Sequence, residues 1–143
     1  MKIIRENYTI ELSEPQVFVD NQARKRSGHM THAFAQFAPN QFLEFNSNCS
    51  AERCGGHSAF GWIEYRKSLD GGKTYSDVYD LEYSKRLLLD GVYTISVEKA
   101  CACNNGDIVA FCLMNSQGDT VCCEPWLIPP QVMISNDQGE SWS

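Results

Sequence analysis

The sequence predicts an all-β protein. Three observations carry that prediction. Apolar residues recur with a period of two and not of 3.6. Short strand-like runs follow one another at roughly ten-residue spacing, with Gly, Asn and Asp turns between them. One nine-residue turn pattern occurs twice. Strands spaced in this way build a sandwich, a barrel or a propeller. At 143 residues, 43% hydrophobic and 21% charged, the composition is that of one globular domain, which excludes disordered and fibrous classes.

The elements follow in chain order. Residues 8–12 alternate. Residues 29–37 alternate as well, with Met30, His32, Phe34 and Gln36 on one face. Pro39-Asn40 is a turn dipeptide, so residues 42–45 form the returning strand. Residues 59–66 carry Phe60, Trp62, Ile63 and Tyr65, types that suit a pleated surface. Residues 79–89 read either as a helical turn or, through Leu87-Leu88-Leu89 before Asp90-Gly91, as a buried strand. Residues 93–97 alternate again. Asn104-Asn105-Gly106-Asp107 signals a hairpin, and residues 108–114 return from it.

Charge and cysteine content narrow the function. The net charge is −6 with 12 Lys+Arg. The densest basic cluster is Arg24-Lys25-Arg26, which is too short for the basic stripe of a nucleic-acid binder. No run of eighteen apolar residues predicts a transmembrane helix. Met1 to Glu6 carries charges where a signal peptide needs an apolar core, so a cytoplasmic location is expected. Seven cysteines are an odd number, and reduced thiols are the expectation. Cys101, Cys103, Cys112, Cys122 and Cys123 lie in apolar, strand-like stretches, where a thiol behaves as a small hydrophobe.

The repeated turn reads Ser-x-Asp-x-Gly-x-[Ser/Thr]-aromatic-Ser. It occupies residues 68–76 and, 67 positions later, residues 135–143. Each residue has a mechanical role. The Asp carboxylate (Asp70, Asp137) accepts N–H groups just after it. Gly72 and Gly139 supply a positive φ. Ser68, Thr74, Ser135 and Ser141 offer hydroxyls to nearby backbone, and Tyr75 and Trp142 cover the turn with apolar surface. Two copies, each after an apolar stretch, predict a repeated hairpin.

Both segments resemble the Asp-box of the bacterial neuraminidase repeat found in the sialidase-like superfamily. The resemblance covers about residues 25–143. It implies about two four-stranded antiparallel blades of a six-bladed β-propeller. Residues 1–28 would be an entry strand and loop, 29–90 a first blade, and 91–143 a second, incomplete blade ending at its box. It also implies a glycan-processing protein, an exo-glycosidase acting on terminal sugars such as sialic acid. The 143-residue chain would be a piece of it, inactive alone and completed by self-association or by a complementary chain.

Site residues follow from the same resemblance. Sialidases grip a substrate carboxylate with arginines, whose guanidinium is a planar two-pronged donor, and Arg24 and Arg26 fall nearest that position. The acid/base Asp would lie within residues 46–58, yet no Asp occurs between Asp20 and Asp70. Glu52 is the remaining carboxylate there, flanked by Arg53 and close to His57, and Arg53 would lower its pKa. His29 is a candidate for lining the substrate funnel. Cys49, Cys54 and His57 have thiolate and imidazole chemistry that suits zinc, but lack a close pair and a fourth ligand, so neither metal nor cofactor is expected. Two further readings stay open: a non-catalytic propeller module that binds glycan or protein, and an accessory β-sandwich that carries box-like turns.

Overall fold

The computed structural model describes residues 1–15, 17, 20, 23, 26–27, 33–50, 61–90, 93–116 and 130–143. Its strands are β1 (Lys2–Ile4), β2 (Thr9–Glu11), β3 (Arg26–Ser27), β4 (Ala33–Ala38), β5 (Gln41–Ser50), β6 (Gly61–Ser68) and β7 (Tyr79–Asp80). After helix α1 (Glu82–Leu89) come β8 (Tyr93–Ala102), β9 (Ile108–Ser116) and β10 (Gln131–Ser135). The protein is mostly β, and every strand pairing is antiparallel.

The amino-terminal stretch holds two strands where the sequence suggested one. β1 and β2 form a hairpin with Ile3 opposite Ile10. It is tied at its ends by Arg5 N–H to Tyr8 carbonyl (2.9 Å) and Leu12 N–H to Met1 carbonyl (2.8 Å). Glu6-Asn7 makes the reversal, a polar dipeptide between two short apolar runs.

The first large sheet has five segments in four lanes. β3 and β4 both pair with one edge of β5, β6 pairs with its other edge, and β7 lies outside β6. Pro39-Asn40 closes β4 onto β5, with Asn40 at φ 60°, a conformation Asn tolerates better than most residues. The second sheet is the meander β8–β9–β10. Its first turn ends at Gly106, φ 91°, whose N–H bonds the Cys103 carbonyl at 2.9 Å.

The two sheets pack face to face. Ala33, Ala35, Leu43, Phe45, Ile63 and Tyr65 of the first meet Ile95, Val97, Ile108, Ala110, Cys112 and Met133 of the second, with Leu81 beside them. On β4 the inward residues are the small alanines, which let β8 come close. Phe34, on the opposite face, is 51% exposed.

Residues 82–89 are helical, so the buried-strand alternative for Leu87-Leu88-Leu89 is corrected. Leu89 is exposed, and only β7 of that stretch joins the sheet. Ser84 settles the local choice. It is fully buried, its hydroxyl accepts the Ile63 N–H at 2.9 Å and donates to the Leu81 carbonyl at 2.8 Å. Glu82 in the first turn and Arg86 in the last suit the helix dipole.

The units share one register. Phe42 stands opposite Ser68 in the first sheet, and Ile108 stands opposite Ser135 in the second. Each of these serines opens one of the repeated turns.

Candidate functional site

The two turns are built alike. Asp70 Oδ1 accepts the N–H groups of Lys73 (3.0 Å) and Thr74 (2.9 Å), and Oδ2 accepts the Thr74 hydroxyl at 2.6 Å. Asp137 accepts the Ser141 N–H at 2.8 Å and the Ser141 hydroxyl at 2.5 Å. Ser68 and Ser135, both buried, each take a glycine N–H, from Gly72 and Gly139 respectively, at 2.8 Å. The side-chain and backbone donors of Thr74 hold the Asp70 carboxyl at about 2, and those of Ser141 hold Asp137 at about 2. These carboxylates are occupied by the turn and have no spare role in proton transfer.

Past each turn the chain returns to the strand it left. Ser76 N–H bonds the Lys67 carbonyl at 2.9 Å, and Ser143 N–H bonds the Ile134 carbonyl at 3.0 Å. The aromatic residues take different partners. Tyr75 stacks edge-on against Phe42 of its own sheet (6.0 Å), and its hydroxyl donates to Glu44 at 3.2 Å. Trp142 crosses to the other sheet and packs on Phe45 (5.7 Å) and Tyr65 (6.0 Å).

The second turn is thereby clamped on the first sheet. Tyr65 hydroxyl donates to the Gly139 carbonyl at 2.7 Å, and Lys67 pairs with Glu140. A Cβ on Gly139 would stand 2.5 Å from Leu43 Cδ1.

A polar row lies on the other face of the first sheet. Glu44 stands opposite Arg66 and Asn46 opposite Glu64. Asn46 and Glu64 are 3% and 2% exposed, which is unusual for a carboxylate. Both atoms of the Asn46 amide lack a hydrogen-bond partner. At the sheet's edge Trp62 Nε1 donates to Asp80 at 2.8 Å, and Asp80 also pairs with Lys85 at 2.5 Å. The sequence hides this row, because polar residues alternating with Phe45 and Tyr65 look like an ordinary solvent face.

A cavity of about 640 Å³ opens between α1 and the second turn. Glu82, Tyr83 and Arg86 form its helical wall, and Gln131, Val132 and Trp142 face them. Arg86 lies over the Tyr83 ring at 5.8 Å. One cation, one carboxylate, an amide and two aromatic rings are groups suited to a small polar ring compound. Among the described residues no three His, Cys, Asp or Glu side chains are grouped to hold a metal. Nor is any described helix long and apolar enough to cross a membrane.

Of the residues singled out from sequence, Glu52, Arg24, His29, Arg53 and His57 lie outside the described residues, as do Cys54, Cys122 and Cys123. Arg26 sits in β3, paired with Ser50. Cys112 is buried, but Cys101 and Cys103 are exposed, a correction to their expected apolar setting. A register shift between Val97 and Lys99 inserts one residue into β8 and turns Cys101 to the outer face. No protein-family model matches the chain, and no curated protein matches it.

Proposed function

We propose that residues 29–143 are two successive blades of a sialidase-like β-propeller, and that the protein processes terminal sugars of glycans. The observation that carries this reading is the pair of turns. They share the residue pattern, the hydrogen-bond set around Asp70 and Asp137, and the same place relative to strand register. The four lanes of the first sheet, with the first turn between its third and fourth lanes, support it further.

A second reading, a module that binds glycan or protein without hydrolysing it, is favoured by the absence of Asp from Asn21 to Leu69. Glu52 is the carboxylate left between β5 and β6, where the resemblance would place an acid/base Asp.

Sialyllactose and lactose titrated into isotopically labelled protein, together with a fluorogenic sialoside assay, test both readings. The expected result is saturable binding of sialyllactose without turnover. Turnover abolished by Glu52→Gln establishes hydrolysis with Glu52 as its acid. Failure of both sugars to bind, with no turnover, overturns the glycan reading in both its forms.

A further inference from the structure

When the two strand-and-turn units are overlaid on their registers, Leu43, Phe45, Tyr65 and Lys67 fall on the positions of Val109, Phe111, Val132 and Ile134. The first set is covered within the chain. The second sheet lies on it, Gly139 meets Leu43, and Trp142 seats on Phe45 and Tyr65. The second set is open: Phe111 is 48% exposed, Val132 50% and Ile134 39%. Phe111 stands directly opposite Val132, and Val109 opposite Ile134, so the four make one apolar patch across β9 and β10.

The turns show the converse asymmetry. Gly139 is buried, whereas its counterpart Gly72 is half-buried. Leu69 exposes an apolar side chain (61%) at the position that the second turn gives to the polar Asn136. The chain therefore holds one turn on its seat, one turn without a seat, and one seat without a turn.

We infer that the face formed by Val109, Phe111, Val132 and Ile134 docks the first turn, residues 68–75, of a second copy of this chain. The docking repeats between copies the step that seats Gly139 within one copy, and it rests on reading the two units as a repeat. The contact is heterologous: each copy offers its turn at one end and its seat at the other. Three features of the internal step do not carry over. Lys67 pairs with Glu140 inside the chain, but Ile134 and Lys73 hold the corresponding positions between copies. Val132 stands where Tyr65 donates to the Gly139 carbonyl, and Tyr75, the counterpart of Trp142, packs on Phe42 of its own sheet. The contact between copies is apolar, and added salt will not weaken it.

Light scattering and sedimentation on the 143-residue protein over a rising concentration series test the docking. The average mass is expected to climb above the 16.1 kDa of one chain, at low and high salt alike. Phe111→Asp and Ile134→Asp, both at exposed positions outside the cavity lining, should each weaken association at least tenfold with an unchanged circular-dichroism spectrum. Tyr75→Ala removes the turn's aromatic residue. Should it fail to fold, Leu69→Asp alters the same turn at an exposed position.

An equimolar mixture of Phe111→Asp with the turn variant should form a pair of twice the chain mass that grows no further, because one intact seat and one intact turn remain. A protein that stays monomeric throughout overturns the docking, as does an association untouched by both seat variants. Seat variants that stay monomeric in the mixture show seat-to-seat pairing and overturn it too. None of these outcomes bears on the glycan reading, which is read from sugar binding.

Discussion

Tyr65 and Gly139, 74 positions apart, are joined by a buried hydrogen bond of 2.7 Å from the phenol to the glycine carbonyl. The bond fixes the second turn on the first sheet at the point where the backbone must come closest. Burial raises the Tyr65 pKa above its ordinary value of 10.0, so the phenol stays a donor at every ordinary pH. Tyr65→Phe keeps the ring and strands the carbonyl, and should cost about 1–3 kcal/mol. Gly139→Ala should cost about 1–3 kcal/mol from overpacking alone, with backbone strain at φ 89° added. Gly106→Ala, at φ 91° with open space around it, carries only the strain and should cost less. Urea denaturation of the three variants checks the order, and Gly106→Ala as the most damaging would contradict the clamp.

Acid should act through the two turns. Asp70 and Asp137 have folded-state pKa values of about 2 against an ordinary 3.8. A depressed pKa gives stability that is present above the unfolded value and lost as pH falls through the folded one. Melting temperature should therefore be little changed by these groups above about pH 4 and fall between about pH 4 and pH 2. Replacing both by Asn lowers stability at neutral pH and flattens that acid slope. A double variant whose slope equals that of the parent would remove the turns from the cause.

Much of this architecture is written locally. Pro39-Asn40, Asn105-Gly106 and the Asp, Gly and hydroxyl residues of the two turns each act within a few positions, so their conformations follow from neighbours. Helix α1 is not local in this sense. Leu87-Leu88-Leu89 satisfies a strand pattern as well as a helix, and the choice depends on Ser84 meeting Ile63, 21 positions earlier. The seat of Trp142 is equally hidden, because no pattern around residue 142 names Phe45 or Tyr65 as its partner. Glu64 and Asn46 mislead in another way: alternation marks them as solvent-facing, and burial comes from tertiary packing. Of the acid/base and carboxylate-gripping candidates, Arg26 lies in β3, and Glu52 and Arg24 lie outside the described residues.

Thiol reactivity should split by strand face. Burial pushes the Cys112 thiol up to about 11, and little of it is thiolate near neutrality. Cys101 and Cys103 are exposed. Brief iodoacetamide treatment of the folded protein, followed by peptide mass spectrometry, should label Cys101 and Cys103 and spare Cys112. Full labelling of Cys112 should require denaturant. Equal labelling of all three would mean that the sheets part readily.

The second turn carries a correctable strain. Gln138 sits at φ 59° where the first turn has Gly71 at 76°. A left-handed conformation costs a side-chain-bearing residue about 1–2 kcal/mol, part of which glycine returns as unfolded-chain entropy. Gln138→Gly should thus stabilise the protein by a few tenths to about 1 kcal/mol. A lower denaturation midpoint would show that the Gln138 side chain makes a compensating contact.

Ser84 offers the sharpest test of how the helix joins the sheet. β7 supplies only Tyr79 and Asp80 to the edge of β6, and the ladder then runs out beside Ile63. Leu81 N–H still reaches the Ile63 carbonyl at 2.8 Å, but the Ile63 N–H has no strand carbonyl to meet. The Ser84 hydroxyl takes that place at 2.9 Å and passes its own proton to the Leu81 carbonyl at 2.8 Å. Ile63 is 0% exposed, so water cannot replace the lost acceptor without opening the core. Ser84→Ala should cost about 1–3 kcal/mol, the desolvation penalty of an unpaired buried donor, although alanine is the better helix former. Ser84→Thr, which keeps the hydroxyl, should recover the bond but add a methyl group to a closed site and fall between the two. Hydrogen exchange at the Ile63 amide separates the explanations: in Ser84→Ala it should accelerate more than at its neighbours in β6. If stability falls and Ile63 exchange keeps pace with the rest of the strand, the loss belongs to packing and not to this bond.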